Sequence, residues 1–469
     1  MADEQQKRRT VVAEYDLTPV EVPRVETEFR TIQTKIPVPE SLPLFERSRQ
    51  SEPRAMLGQP PIVWDRAEGF TVSDPWGNRW IDWSSGVLIT NIGHGHPAVV
   101  EAIREVIEKP LLASYVFAHE QRILLARELQ RFAPRPEDYL VFLLSTGSEA
   151  TEGCIKLAKT YARQKHGEHK KYILSFGGAF HGRTMGAQLA GGMPHLKAWI
   201  GDGDPSFIQV PFPDGFYIPD TSFDVLLQTL QQRGIRGEQI AGMMTESFQG
   251  VGPDFFPQPY VDQLMEFCRE HDIVTIFDEV QAGFGRTGKD FAFEHYGVKP
   301  DLIACGKGVS SSLPLAAVIG RKGIMNLYPP GSMTSTHSGS PIPVAATLAN
   351  LAEYRRGRYA DNAAQLGPLL ASRLQDAASR YPDVCGQVNA RGLVAGIKIV
   401  KPGTRTPDPA TAQQINYSCF RKGLLMFAPV GVGGECVKIA PPLCITEAAL
   451  RESLDVLDES LAEVLGNRG

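Results

Sequence analysis

The sequence predicts an α/β protein with a large, mainly parallel-sheet domain and a smaller α+β domain. Three observations carry this. Short apolar runs alternate with amphipathic helical patterns between about residues 138 and 320, as a parallel sheet covered by helices requires. After about Pro341 long helical patterns around an apolar strand replace that alternation. A chain of 469 residues, 42% hydrophobic and 22% charged, is large and apolar enough for a sizeable core in more than one domain.

The first 54 residues are polar and proline-rich, with Pro37, Pro39, Pro43 and Pro53. They predict an extended arm lying over another surface, a partner subunit among the options, or a disordered tail over the first ~15 residues. Residues 62–83 read as a hairpin, with FTVSD and RWIDW flanking a Pro75-Trp76-Gly77-Asn78 turn. This hairpin is too small to stand alone and is assigned to the smaller domain. His94 and His96 lie in a loop entering a helix that starts near Pro97; with no third ligand at a helpful spacing, no metal site is expected.

Strands are expected at 139–144, 172–176, 208–211, 240–245, 273–277, 302–305 and 316–320, with helices at 149–164 and 260–270. A long helical region follows at 343–380, then a strand at 396–400. The final helix carries Leu450, Leu454, Leu457, Leu461 and Val464 on one face. The predicted division is 1–95 (arm and hairpin, part of the small domain), 96–342 (large domain) and 343–469 (the rest of the small domain).

Composition narrows the function classes. A formal net charge of −5 gives no reason to expect nucleic acid or an anionic membrane as partner. Seven scattered cysteines without CxxC spacing suit a reduced cytoplasmic protein better than a disulfide framework. No apolar segment follows the charged start, so a secretory leader is not expected. No apolar run reaches the ~18 residues of a membrane span.

Chemistry concentrates at the ends of two apolar runs. Residues 273–277 deliver Asp278, and residues 302–305 deliver Lys307 after one glycine. An acid and an amine at the carboxyl ends of neighbouring strands point into the crevice where open α/β sheets bind ligands. Upstream, Ser145-Thr146-Gly147-Ser148-Glu149 follows a strand and opens a helix, whose N-terminal amides and Ser148 hydroxyl suit a phosphate; alone, such residues usually only cap. Together the three parts match pyridoxal 5′-phosphate, which needs an amine, a carboxylate beside its pyridine nitrogen and a phosphate seat. Gly283-Phe284-Gly285-Arg286-Thr287-Gly288 matches a dinucleotide fingerprint literally. However, 278–282 separate it from the strand and no helix start follows, so a nicotinamide cofactor is not expected.

The motifs STGSEATEGCIKLAK (145–159), GAFHGRT (178–184), ESFQGVGP (246–253), FDEVQAGFGRTG (277–288), GKGVSSSLPLAAVIG (306–320), STHSGSP (335–341), RGL (391–393) and KIAPPL (438–443) occur in this order. The chain thereby resembles the class-III aminotransferases of pyridoxal-phosphate fold type I (aspartate aminotransferase-like), among them the 4-aminobutyrate, ornithine and acetylornithine aminotransferases. The resemblance covers nearly everything from about Val63 onward.

It implies that Lys307 is the Schiff-base lysine and the catalytic acid/base. Asp278 would bind the pyridine nitrogen, Gln281 the phenolic oxygen, and Phe180 would stack on the ring. Gly147 and Ser148 would hold the phosphate together with Thr336 of a second subunit, so a homodimer with shared sites is implied. Arg183 would take a distal substrate carboxylate, although bracing its loop explains it equally well. Val87 would be an apolar pocket wall or a core residue.

In 4-aminobutyrate-like members a glutamate, here Glu246, gates an arginine near the C-terminus. This chain departs twice: Ser247 replaces the usual proline, and Lys438 replaces the arginine. Lysine lacks the planar fork that grips a carboxylate, which weakens the case for 2-oxoglutarate and favours pyruvate or a substrate held another way. The expected reaction is transfer of an amino group from an ω-amine or amino acid to a 2-oxo acid. A racemase or epimerase, or an amine-phosphate lyase, would share the same cofactor residues.

Overall fold

The computed structural model describes residues 14–466. It divides into two compact units, one of residues up to His96 together with those from Asn362, the other Pro97–Asp361.

The first unit opens with β1 (Val25–Glu26), β2 (Thr31–Ile32), β3 (Arg66–Glu68), β4 (Thr71–Ser73) and β5 (Arg79–Asp82), ordered β1-β2-β5-β4-β3. The expected hairpin is β4–β5, with Val72 opposite Trp80 across the Pro-Trp-Gly-Asn turn. Asp74 fixes the turn by accepting from the Trp76 and Asn78 amides, both at 2.9 Å. His94 pairs with Asp82, Nε2 to Oδ2 at 2.7 Å.

The second unit holds the large sheet. Its strands are β6 (Tyr139–Leu144), β7 (Tyr172–Phe176), β8 (Phe207–Val210), β9 (Ile240–Glu246), β12 (Val274–Asp278), β13 (Leu302–Cys305) and β14 (Ala316–Arg321); β10 (Phe248–Gln249) and β11 (Asp254–Phe255) form a small ribbon beside it. The order is β6-β14-β13-β12-β9-β7-β8. Strands β8, β7, β9, β12 and β13 run parallel, and β14 is antiparallel to both neighbours. Both faces are covered, so the parallel strands are mostly apolar. Along β13, Ile303 and Cys305 join one core while Leu302 and Ala304 join the other, the alternation that a pleated strand imposes.

The first unit resumes with β15 (Cys385–Arg391), β16 (Val394–Ile399), β17 (Leu424–Leu425) and β18 (Cys436–Ile439). Strands β15, β16 and β18 make an antiparallel sheet, and β17 joins β5 in parallel. Trp80 stacks on Phe420 at 5.4 Å and donates its indole N–H to the Phe420 carbonyl at 2.8 Å. The arm docks on its own chain: Tyr15 donates to Asn416 Oδ1 at 2.6 Å, and Tyr417 to the Asp16 carbonyl at 2.7 Å. The tail expected at the start falls on residues 1–13, outside the described ones.

Most element ends shift by one or two residues, and the larger differences from expectation lie after residue 340. The helical region at 343–380 is two helices, Pro341–Arg356 and Tyr359–Ser379, broken where Arg358 takes the left-handed conformation at φ 52°. The first of these belongs to the large unit, so the division falls at 361/362 rather than 342/343. Its packing explains why: it lies on helices Pro97–Glu108 and Glu120–Gln130, and Asn350 donates to the Val309 carbonyl at 2.7 Å.

Candidate functional site

Parallel β9, β12 and β13 end together, and residues at or just beyond those ends line a pocket of the second unit. Asp278 closes β12 and stands in register with Glu246 on β9 and Ala304 on β13. Lys307 follows β13 after Gly306 and opens a 3₁₀ turn, Lys307–Val309. A cavity of about 140 Å³ is lined by Lys307, Asp278, Gln281, Glu246, Phe180, Gly147 and Ser148, with Thr146, His181, Gly182 and Val280. The dinucleotide-like loop at 283–288 opens no helix, and Phe284 and Arg286 are buried within it.

The helix Gly147–His166 begins at this pocket. Thr146 caps it by accepting from the Glu149 amide at 3.2 Å, while Glu149 reaches back to the Ser145 and Thr146 amides. This capping box leaves Gly147 and Ser148 in the first turn, where amide hydrogens lack intrahelical acceptors. A Cβ on Gly147 would stand 2.9 Å from Val280 Cγ1, so the close approach needs glycine.

Asp278 is held on both oxygens. Oδ1 accepts from the Val280 amide at 3.0 Å, and Oδ2 pairs with His181 Nδ1 at 2.8 Å. Burial depresses the His181 imidazole, but the hydrogen bond and charge of Asp278, with the charge of Glu246, outweigh it and raise its affinity for a proton. Its other nitrogen, Nε2, is buried without a partner. Lys307 is shifted the opposite way: desolvation lowers its pKa, against the attraction of Asp278 and Glu246. Its backbone is left-handed at φ 46°, a conformation that costs a non-glycine residue about 1 kcal/mol or more and that recurs at functional sites.

Burial pushes Glu246 up to about 7, with Asp278 adding to the rise and His181 and two backbone amides opposing it. Glu279 is likewise pushed up to about 7 by burial. It accepts from Ser247 Oγ and from the Ala292 and Phe293 amides, both at 3.0 Å.

Most of the sequence-predicted residues therefore converge: Lys307, Asp278, Gln281, Phe180, Gly147, Ser148 and Glu246 line one cavity. Arg183 is exposed above it, its guanidinium 5.6 Å from the Phe180 ring centre. Thr336 lines a different cavity of about 570 Å³ with Ser145, Glu149 and His337. Val87 and Lys438 belong to the first unit. Val87 is exposed in a left-handed turn at φ 67°, and Lys438 is buried on β18 with Nζ 5.7 Å from the Phe427 ring centre. Two neighbours of the expected residues were not expected: His181, which lines the cavity, and Glu279, which is fully buried next to Asp278 in the chain; both sit inside motifs quoted for other residues.

An amine, a carboxylate on a neighbouring strand, an aromatic ring and a glycine-led helix start suit a planar, cationic, phosphorylated ring. Comparison with known proteins agrees. The family model "Aminotransferase class-III" matches residues 55–461. The chain belongs to the class-III aminotransferase family. Its members use pyridoxal phosphate, and this chain is an enzyme of that family.

Among the family's curated proteins, the chain is 33% identical to a 4-aminobutyrate aminotransferase of Mycobacterium leprae, over 92% of this chain and 98% of that one. It is 32% identical to an isoleucine 2-epimerase of Lentilactobacillus buchneri, over 86% and 90%. A PLP-bound aminotransferase mutant structure from Vibrio fluvialis superposes with a TM-score of 0.78 at 26% identity, covering 87% of this chain and 94% of that one. Among the described residues no helix is long and apolar enough to cross a membrane.

Proposed function

We propose that this class-III aminotransferase moves an amino group from an ω-amine or amino acid of the 4-aminobutyrate kind to a 2-oxo acid, pyruvate ahead of 2-oxoglutarate. The observation that carries the reading is Lys307 and Asp278 lining one pocket with Phe180 and the Gly147–Ser148 helix start. The Mycobacterium leprae relative supports the donor class, and Lys438 in place of an arginine supports pyruvate.

When bound, pyridoxal phosphate supplies a carbonyl that condenses with amines and a ring that accepts the electron pair of a breaking Cα–H bond. The chain's residues supply the rest. Lys307 Nζ, with its pKa lowered by burial, more readily holds a free lone pair and would take the proton from Cα and deliver it to the cofactor's C4′, the former carbonyl carbon. Asp278, oriented by His181 and the Val280 amide, would hold a negative charge against the pyridine nitrogen and favour its protonated form. Gln281 would hold the phenolic oxygen, and Phe180 would cover one ring face. Gly147 and Ser148 would hold the phosphate, joined by Thr336 of a second subunit in a homodimer. The resemblance gives Arg183 a distal carboxylate of the substrate, and gives Val87 and Lys438 substrate contacts. Seven free cysteines support a reducing, cytoplasmic setting.

The epimerase relative favours a second reading, racemisation at the same lysine. A single-turnover assay separates them. A single-enantiomer α-amino acid donor mixed with loaded enzyme and no acceptor is expected to release its oxo product stoichiometrically, with the remaining donor stereochemically unchanged. Loss of stereochemical purity with no oxo product would replace the amino-transfer reading. In steady state, pyruvate is expected to outperform 2-oxoglutarate by at least about tenfold in kcat/KM, the worth of one charge-assisted contact. The reverse order would remove Lys438 as the discriminating residue.

A further inference from the structure

Glu246 has the geometry of a fixed part rather than a moving one. It is the last residue of β9, paired in register with Asp278, and only 4% exposed. Both carboxylate oxygens are engaged by backbone amides from two separate loops. Oε2 accepts from the Phe180 amide at 3.0 Å, and Oε1 accepts from the Gly250 amide at 2.9 Å. The packing leaves no slack. A Cβ on Gly250 would stand 2.6 Å from Glu246 Oε1 and collide with Gln281 Nε2. The next residue after Phe180, His181, is tied to the other strand-end carboxylate, Asp278. Two successive residues of one loop are therefore pinned to two adjacent strand ends.

We propose that Glu246 is a positioning residue that fixes the Phe180 loop against the pocket, rather than a mobile contact exchanged between two substrates. The inference rests on the reading of Phe180 as the ring-stacking residue. For Glu246 to swing away, a buried amide and a half-buried one would lose their acceptors at once, the buried one at a cost of about 1–3 kcal/mol. No positive partner for the carboxylate lies within salt-bridge distance among the described residues. The charges that act on it are those of His181 and Asp278, of opposite sign, and its own charge acts on Lys307. Fixed in place, the carboxylate sets the height of the Phe180 ring above the pocket floor for both halves of the reaction alike.

The test is a double-mutant cycle on cofactor affinity, read by titrating the apoenzyme with pyridoxal phosphate and following visible circular dichroism. Glu246→Gln keeps the volume but turns an N–H toward one of the amides. It is expected to weaken cofactor binding about tenfold, as loss of one charge-assisted bond does. On a Phe180→Ala background the same change is expected to have an effect within about twofold, because residues acting through one another are not additive. Both half-reactions, ω-amine donor and α-amino acid, are expected to fall by the same factor in Glu246→Gln. Glu246→Asp, which keeps the charge but draws it back from the Phe180 and Gly250 amides, is expected to give the same dichroism change should Glu246→Gln fold poorly.

A full effect persisting on the Phe180→Ala background would overturn the proposal. So would unchanged cofactor affinity with a shifted ratio of the two half-reactions. Absence of turnover with every donor would instead remove the amino-transfer reading, and the affinity cycle would still decide the role of Glu246.

Discussion

Lys307, Asp278, Glu246 and Glu279 occupy one small region, and the protein sets each to a different task by what surrounds it. Lys307 faces two carboxylates yet has a lowered pKa because burial outweighs them. Glu279, beside Asp278, is wrapped by a hydroxyl and two amides and still rises to about 7. That shift has a stability consequence. Below its ordinary value of 4.5 both folded and unfolded states hold the proton. Between there and about 7 the folded state holds more, so stability falls as pH rises through that window. His181, raised as well, acts with the same sign.

Apoenzyme melting temperature is accordingly expected to drop between about pH 5 and about pH 8, and Glu279→Gln to shrink the drop. A Glu279→Gln protein with an unchanged slope would place the titration elsewhere. At this scale, strand-end position made Asp278 and Lys307 legible in the sequence. His181 was not, because its role comes from a partner 97 residues away, a distance with no signature in local pattern. Glu279 was masked by its neighbour in the same motif.

At the scale of elements, the parallel strands were readable because burial on both faces makes them continuous apolar runs. The antiparallel direction of β14 was not, since an apolar run carries no sign of which way it is crossed. The helix break at Gly357-Arg358 was hidden because helical periodicity continues on both sides of it. The hairpin β4–β5 was visible from its turn residues, but not the partner that anchors it. Trp80 is 1% exposed, stacked on Phe420 and bonded to its carbonyl. Trp80→Ala is expected to destabilise the enzyme by about 3–5 kcal/mol, measured as a lower midpoint in urea at constant slope. A loss under about 1 kcal/mol would mean that the contact is not a main anchor of this unit.

At the scale of the whole molecule, the chain crosses between its two units twice, so one unit is assembled from both ends of the sequence. That discontinuity is legible in the hairpin, which is too small to stand alone. The second crossing is not legible, because the helix Pro341–Arg356 is apolar on most sides and carries no mark of which neighbours it packs on. The conclusions about chemistry rest mainly on the second unit, where a lysine, a carboxylate, an aromatic ring and a helix start share one pocket. The central claim is that Lys307 is the amine that engages the cofactor. Borohydride reduction of the loaded enzyme, followed by peptide mapping by mass spectrometry, tests it directly. The account predicts the reduced cofactor mass on the Lys307 peptide and none on a Lys307→Ala protein that still folds. Cofactor fixed on another lysine, or turnover retained by Lys307→Ala, would contradict it.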